Sequence, residues 1–208
     1  MIAIIDYNVG NLHNLKNALD YQGLPNRIVR EAHELDGADH IILPGVGAFK
    51  PAMERLREAG MEPVVRELVA SGVPFLGVCV GLQLLFDESD EDGLHEGLGL
   101  LRGRIVRFKG RDAQGGALKV PQIGWNQVAW QHPDPLVEGI ADQSYFYFVH
   151  SYYALPNDPA EALGITEYGE RFAAVVRHGN VWGVQFHPEK SQNAGLRLLK
   201  NFAALRPA

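Results

Sequence analysis

The chain has one cysteine, Cys79, among 208 residues. An intramolecular disulfide is therefore excluded, and a lone thiol suits a reducing compartment such as the cytoplasm. Positive charge is also short, since 19 Lys and Arg against 25 Asp and Glu leave a net charge of -6. That balance excludes the phosphate-neutralising surface of a nucleic-acid binder. The longest apolar run, Val73 to Phe86, is too short to span a bilayer and carries Gln83. Met1-Ile-Ala-Ile-Ile5 leads straight into Asp6 and reads as a first strand rather than a secretion signal. No linker, repeat or low-complexity stretch divides the chain, so residues 1–208 are expected to form a single domain.

What is present is an alternation of short apolar runs with amphipathic stretches. Strands are expected at Ile2 to Asp6, Asn26 to Arg30, Ala38 to Leu43 and Pro74 to Val78. Helices are expected at Asn11 to Tyr21, with Asn11 as N-cap, at Phe49 to Ala59 and at Met61 to Ser71. This order predicts an α/β fold with a mostly parallel central sheet and helices on both faces, its ligand site at the carboxyl ends of the strands. The second half changes character. Strands at Arg104 to Phe108, Gln122 to Trp130, Ser144 to Val149, Leu163 to Thr166, Phe172 to Arg177 and Val181 to Phe186 are expected to extend the sheet, before a last helix from Asn193 to Leu205. The acidic run Asp87 to Gly93 lacks the glycine and glutamate spacing of a calcium loop and is expected to be solvated, with no metal bound.

The chemistry centres on Gly77-Val-Cys-Val-Gly-Leu-Gln83, where an apolar strand turns into a helix of 3.6-residue spacing through Phe86. Glycines on both sides of Cys79 fit a tight strand-to-helix turn, a nucleophile elbow. Such a turn holds sulfur at a helix amino end, where the dipole favours thiolate. A lone cysteine is more often inert packing, so the elbow needs a partner. Gln185-Phe-His-Pro-Glu189 supplies one: His187 as the base that takes and returns a proton, and Glu189 as the acceptor that fixes its tautomer. Each alone has a structural reading, a capping histidine and a first-turn acid.

Together, G-V-C-V-G-L-Q and Q-F-H-P-E resemble the signatures of the class I, or triad, glutamine amidotransferases. The segments I-I-D-Y-N-V-G-N-L, P-G-V-G-A-F, Q-I-G-W-N and H-P-E-K-S resemble one branch of that family, the glutaminase subunits of imidazole glycerol phosphate synthases. The resemblance implies a flavodoxin-like three-layer sandwich, hydrolysis of glutamine by Cys79, His187 and Glu189, no cofactor, and a heterodimer with a HisF-type (β/α)8 cyclase that receives ammonia. It further implies an oxyanion hole from the amides of Val46, Gly47 and Val80, and glutamine binding by Gly45, Gln83, His150, Ser151 and Tyr152. Asn11, Asn14, Trp125, Tyr147 and Lys190 are its implied partner-facing residues. As structural readings, Pro44-Gly-Val-Gly47 is a plain turn, His150 and Tyr152 are edge-strand polar residues, and Trp125 is a core aromatic. A subunit of the anthranilate or aminodeoxychorismate synthase type is the alternative within the family.

Overall fold

The computed structural model describes residues 1–206. In chain order its elements are β1 (Ile2–Ile5), α1 (Leu12–Tyr21), β2 (Asn26–Val29), β3 (His40–Gly45), α2 (Phe49–Glu58), α3 (Met61–Ala70), β4 (Phe75–Cys79), α4 (Val80–Leu84), β5 (Phe86–Ser89) and β6 (His95–Glu96). They continue as β7 (Leu101–Arg107), β8 (Gln122–Trp130), β9 (Ser144–His150), β10 (Tyr152–Pro156), β11 (Ala162–Tyr168), β12 (Glu170–His178), β13 (Val181–Val184) and α5 (Gln192–Ala204). Among the described residues no helix is long and apolar enough to cross a membrane.

The central sheet runs β2-β1-β3-β4-β13-β12-β10-β7-β5-β6. From β2 to β13 every pairing is parallel. Strands Ile2–Ile5, His40–Gly45, Phe75–Cys79 and Val181–Val184 are buried along their whole length. That is why they read as continuous apolar runs: helices cover both faces, and no face is left for polar residues. Helix α1 packs with α5, and α2 with α3 and α4. The β1 to β2 and β3 to β4 crossovers run in opposite directions along the sheet, so right-handed connections put these two groups on opposite faces.

Two sequence expectations need correction. The elbow helix stops at Leu84, and Phe86 opens a strand instead of closing the helix. The supposed solvated loop from Asp87 accordingly begins as that strand, parallel to β7, with Ser89 buried. Its charge misled because Asp87 is tied down, accepting from the Gly103 amide at 2.9 Å and pairing with Arg102 at 2.9 Å. As expected, the second-half strands extend the sheet, although not in a single line. Strands β8 and β9 pair with each other and reach it only through β11. Strand β10, which sequence did not single out, takes the place between β12 and β7. Boundaries elsewhere shift by a few residues, and Val181–Val184 ends two residues early. Asn11 sits at the N-cap position of α1 but makes no side-chain capping bond.

Candidate active site

The elbow is built by crowding. Cys79 has φ 56 and ψ -112, a left-handed φ that costs a residue with a Cβ about 1–3 kcal/mol. The strain persists because both flanks are locked. A Cβ on Gly77 would stand 2.7 Å from the Gly81 carbonyl oxygen, and one on Gly81 would overlap the carbonyl of Leu43. Only glycine lets α4 come this close to β3 and β4, and that closeness aims the sulfur off the sheet edge.

Strand register then delivers the base. Strand β13 lies parallel to β4 with Val184 opposite Val78. One residue beyond Val78 is Cys79, and three beyond Val184 is His187. The ring of His187 faces Cys79 on one side, the two lining one cavity. On the other its Nδ1 donates to Glu189 Oε1 at 2.9 Å, with the two side chains 6% and 3% exposed. Burial alone pulls the imidazole pKa down, but the hydrogen bonds and charges of Cys79 and Glu189 outweigh it and push it up to about 10. At neutral pH the ring is therefore protonated and able to donate.

Backbone bonds hold His187 in place. Its N–H donates to the Tyr147 carbonyl at 2.9 Å. The Ser191 hydroxyl donates to the His187 carbonyl at 2.6 Å and accepts from the Tyr147 N–H at 3.0 Å. Strand β9 and the histidine loop are thereby strapped together by three bonds.

In front of the sulfur lies a cavity of about 310 Å³, lined by Val46, Gly47, Cys79, Val80, Gln83, Glu91, Pro121, Val149, His150, Ser151, Tyr152, His187 and Lys190. Gln83 Nε2 donates to the Tyr152 carbonyl at 3.2 Å and to Gln185 Oε1 at 3.3 Å. Gln185 in turn places its Nε2 3.9 Å from Cys79 Sγ. His150 is spent on structure: Nδ1 donates to the Tyr152 carbonyl at 2.7 Å and Nε2 lies 3.0 Å from the Gln122 carboxamide. Burial, with a smaller push from the charge on His187, takes its pKa down to about 4 although the Tyr152 bond opposes this, so the ring is neutral. Gly45 stands behind the pocket, lining a small second cavity with Asn11, His187 and Glu189. Among the described residues no group of three or more His, Cys, Asp or Glu is placed to hold a metal.

Compared with known proteins, residues 3–205 match the family model described as glutamine amidotransferase class-I. The chain belongs to the class-I glutamine amidotransferases. Among curated relatives it is 48% identical over 205 residues to the imidazole glycerol phosphate synthase subunit HisH of Geobacillus sp. (strain WCH70), covering 99% of this chain and 97% of that protein. The HisH subunit of Sulfurimonas denitrificans is 47% identical over 206 residues, 99% of both chains. Among solved structures, a glutamine amidotransferase superposes with a TM-score of 0.74 at 24% identity, covering 99% of this chain and 100% of that one. PurLQS from Thermotoga maritima does so with a TM-score of 0.77 at 18% identity, over 98% and 97%, a likeness of fold.

Seen as an amidotransferase site, most residues singled out from sequence converge. Val46, Gly47, Cys79, Val80, Gln83, His150, Ser151, Tyr152, His187 and Lys190 line one cavity, with Gly45 and Glu189 behind it. Val46, at 41% exposure, is the most open of the large apolar residues around the sulfur. Trp125 is not a core aromatic but 45% exposed, edge-on to Tyr147 at 5.9 Å, with the Lys190 ammonium over the Tyr147 ring at 5.8 Å. Three residues escaped sequence reasoning. Gln185 hides as the fully buried polar residue of the histidine motif. Ser191 reads as an ordinary helix cap. Glu91 sits inside the acidic run, yet its carboxylate lines the pocket, accepts from the Phe49 N–H at 2.7 Å and has its pKa raised by burial.

Proposed function

We propose that this chain is the glutaminase subunit of an imidazole glycerol phosphate synthase, and that residues 1–208 work as one domain. The observation that carries the reading is the Cys79, His187 and Glu189 constellation on a strained elbow. The names of the HisH relatives support the specific acceptor.

Cys79 Sγ attacks the carboxamide carbon of glutamine, and the amides of Val46, Gly47 and Val80 hold the oxygen that gains charge. His187 gives its proton to the departing nitrogen, which leaves as ammonia, and a γ-glutamyl thioester remains. Water then adds to the thioester carbon while His187 takes its proton, and glutamate leaves with the thiolate restored. Glu189 keeps Nδ1 protonated and Nε2 free for both transfers. Gln83, Ser151 and Tyr152 with the backbone at His150 receive the amino-acid end, and the half-buried Glu91 carboxylate faces its ammonium. Gly45 is the pivot on which the oxyanion segment turns.

Ammonia set free in water is lost as ammonium, so the useful partner is a HisF-type (β/α)8 cyclase that uses it to make imidazole glycerol phosphate and an aminoimidazole carboxamide ribotide. The β8–β9 hairpin supports a docking face. Along β9, Phe146, Phe148 and His150 turn inward, while Tyr145 is 56% exposed. Ile123 and Trp125 share its outer face with Tyr145 and Tyr147. An exposed aromatic stripe of this kind is what an interface covers, and Lys190 joins it to the catalytic pocket. Asn11 and Asn14 belong to the start of α1, which packs against the 188–190 turn that carries Lys190, and they complete the rim.

The test is glutamate release with and without the cyclase and its nucleotide ligand. Partner-dependent stimulation is expected, together with imidazole glycerol phosphate formation from glutamine that Cys79→Ala abolishes while ammonium chloride restores it. Glutamine hydrolysis indifferent to every cyclase preparation would defeat the assignment.

A further inference from the structure

Strand β3 outruns β1. Their register covers Ile2 to Ile4 against His40 to Ile42, so Pro44 lies beyond the last strand-to-strand bond on that side. A carbonyl there, buried at the sheet edge, needs a donor from elsewhere. Tyr7 supplies it: the phenol, 1% exposed, donates to the Pro44 carbonyl at 2.7 Å. On its other side β3 is held through Gly45, which stands opposite Cys79. Pro44 thus immediately precedes the Gly45 pivot. That pivot is tightly boxed, because a Cβ at Gly45 would stand 2.6 Å from the Gly81 nitrogen, 2.8 Å from Val80 Cβ and 3.0 Å from the Tyr7 oxygen.

We infer that Tyr7 is a positioning residue for the oxyanion hole, its hydroxyl clamping the Pro44 carbonyl so that the Val46 and Gly47 amides are presented to the reacting carbon from a fixed base. This rests on the proposed glutaminase mechanism. The phenol touches neither the sulfur by hydrogen bond nor the glutamine cavity. Burial, with the nearby Cys79, raises its pKa far above neutrality, so it stays a donor at every working pH. Catalysis by an oxyanion hole depends on donors held ready before charge develops. With the clamp removed, Pro44 and Gly45 share the motion that the pivot alone should make.

Tyr7→Phe keeps the ring and deletes one oxygen. In the complex with the cyclase and its nucleotide ligand, kcat for glutamate release should fall about tenfold, a fraction of what losing a direct oxyanion donor costs, with KM for glutamine unchanged within about twofold. Alkylation of Cys79 by iodoacetamide needs the thiolate and His187 but no oxyanion hole, so its rate should match that of the parent. An unchanged kcat overturns the inference. So does an alkylation rate that falls in step with kcat, a loss expressed in KM, or a variant that no longer folds, since each makes the hydroxyl a general structural contact. If the parent protein itself shows no cyclase-stimulated glutaminase activity, the failure belongs to the functional reading and not to Tyr7.

Discussion

Replacing Glu189 by glutamine removes one charge and almost no volume from a site where charge is hard to replace. The carboxylate is 3% exposed and its Oε1 accepts the His187 Nδ1 proton at 2.9 Å, while Oε2 has no hydrogen-bond partner among the described residues. Two unit charges about 4 Å apart interact by about 4 kcal/mol at an effective dielectric constant near 20. A carboxamide oxygen can still accept from Nδ1, so the neutral hydrogen bond is kept and only the charge-dependent part is lost, about 2–3 kcal/mol. At 1.36 kcal/mol per decade this is a fall of about 30- to 150-fold in kcat. KM should hold, because Glu189 does not line the glutamine cavity. The assay is steady-state glutamate release at saturating cyclase and nucleotide ligand, across pH. Since Glu189 is one of the groups raising the His187 pKa, the alkaline limb of the profile should move toward neutrality in the variant. A kcat within threefold of the parent, or a limb moving the other way, would falsify the assigned role of the carboxylate.

Other outcomes follow from the same geometry. Ser191→Ala leaves the Tyr147 N–H without its acceptor inside the protein, which should lower urea-unfolding stability by about 2 kcal/mol, and cyclase stimulation should fall more than basal activity because β9 and His187 lose part of their strap. His187 has a folded pKa raised from 6.5 to about 10, so its contribution to stability is complete below about pH 6.5 and is lost as pH rises through 10. His150 has the opposite sign: its folded pKa is lowered from 6.5 to about 4, so its contribution is complete above about pH 6.5 and is lost as pH falls toward 4. Urea midpoints from pH 4 to 10.5 should therefore decline at both ends, with the alkaline decline reduced in His187→Asn and the acid decline reduced in His150→Asn. Trp125→Ala should weaken cyclase binding at least tenfold by titration calorimetry, as expected for an exposed aromatic anchor, with the melting temperature of the isolated subunit unchanged; an unaltered affinity would remove Trp125 from the interface.

The elbow and the histidine motif were legible because their geometry is local. Gly77 is required by contacts within one strand-turn-helix unit, although Gly81 also makes room for Leu43 on β3, and Glu189 lies two residues from the ring it hydrogen-bonds. Locality also explains the failures. Phe86 continued the helical spacing of its neighbours, but pairing with β7 made it a strand. Glu91 was hidden by the acids around it, since nothing in a run of carboxylates marks the one that folds inward. Gln185 and Ser191 carry ordinary side chains whose meaning comes from what stands opposite.

By itself, then, the amino-acid order determined the apolar runs of the parallel core, the tight turn at the thiol and the choice of the three side chains proposed to react, because periodicity, glycine placement and short motifs act over a few neighbours. Only tertiary structure decided that Val184 pairs with Val78, that Tyr7 caps Pro44, and that the β8–β9 hairpin branches away from the sheet with its aromatics outward. Those relations join residues far apart in the chain, and their free energy comes from desolvating partners together, which no local pattern records.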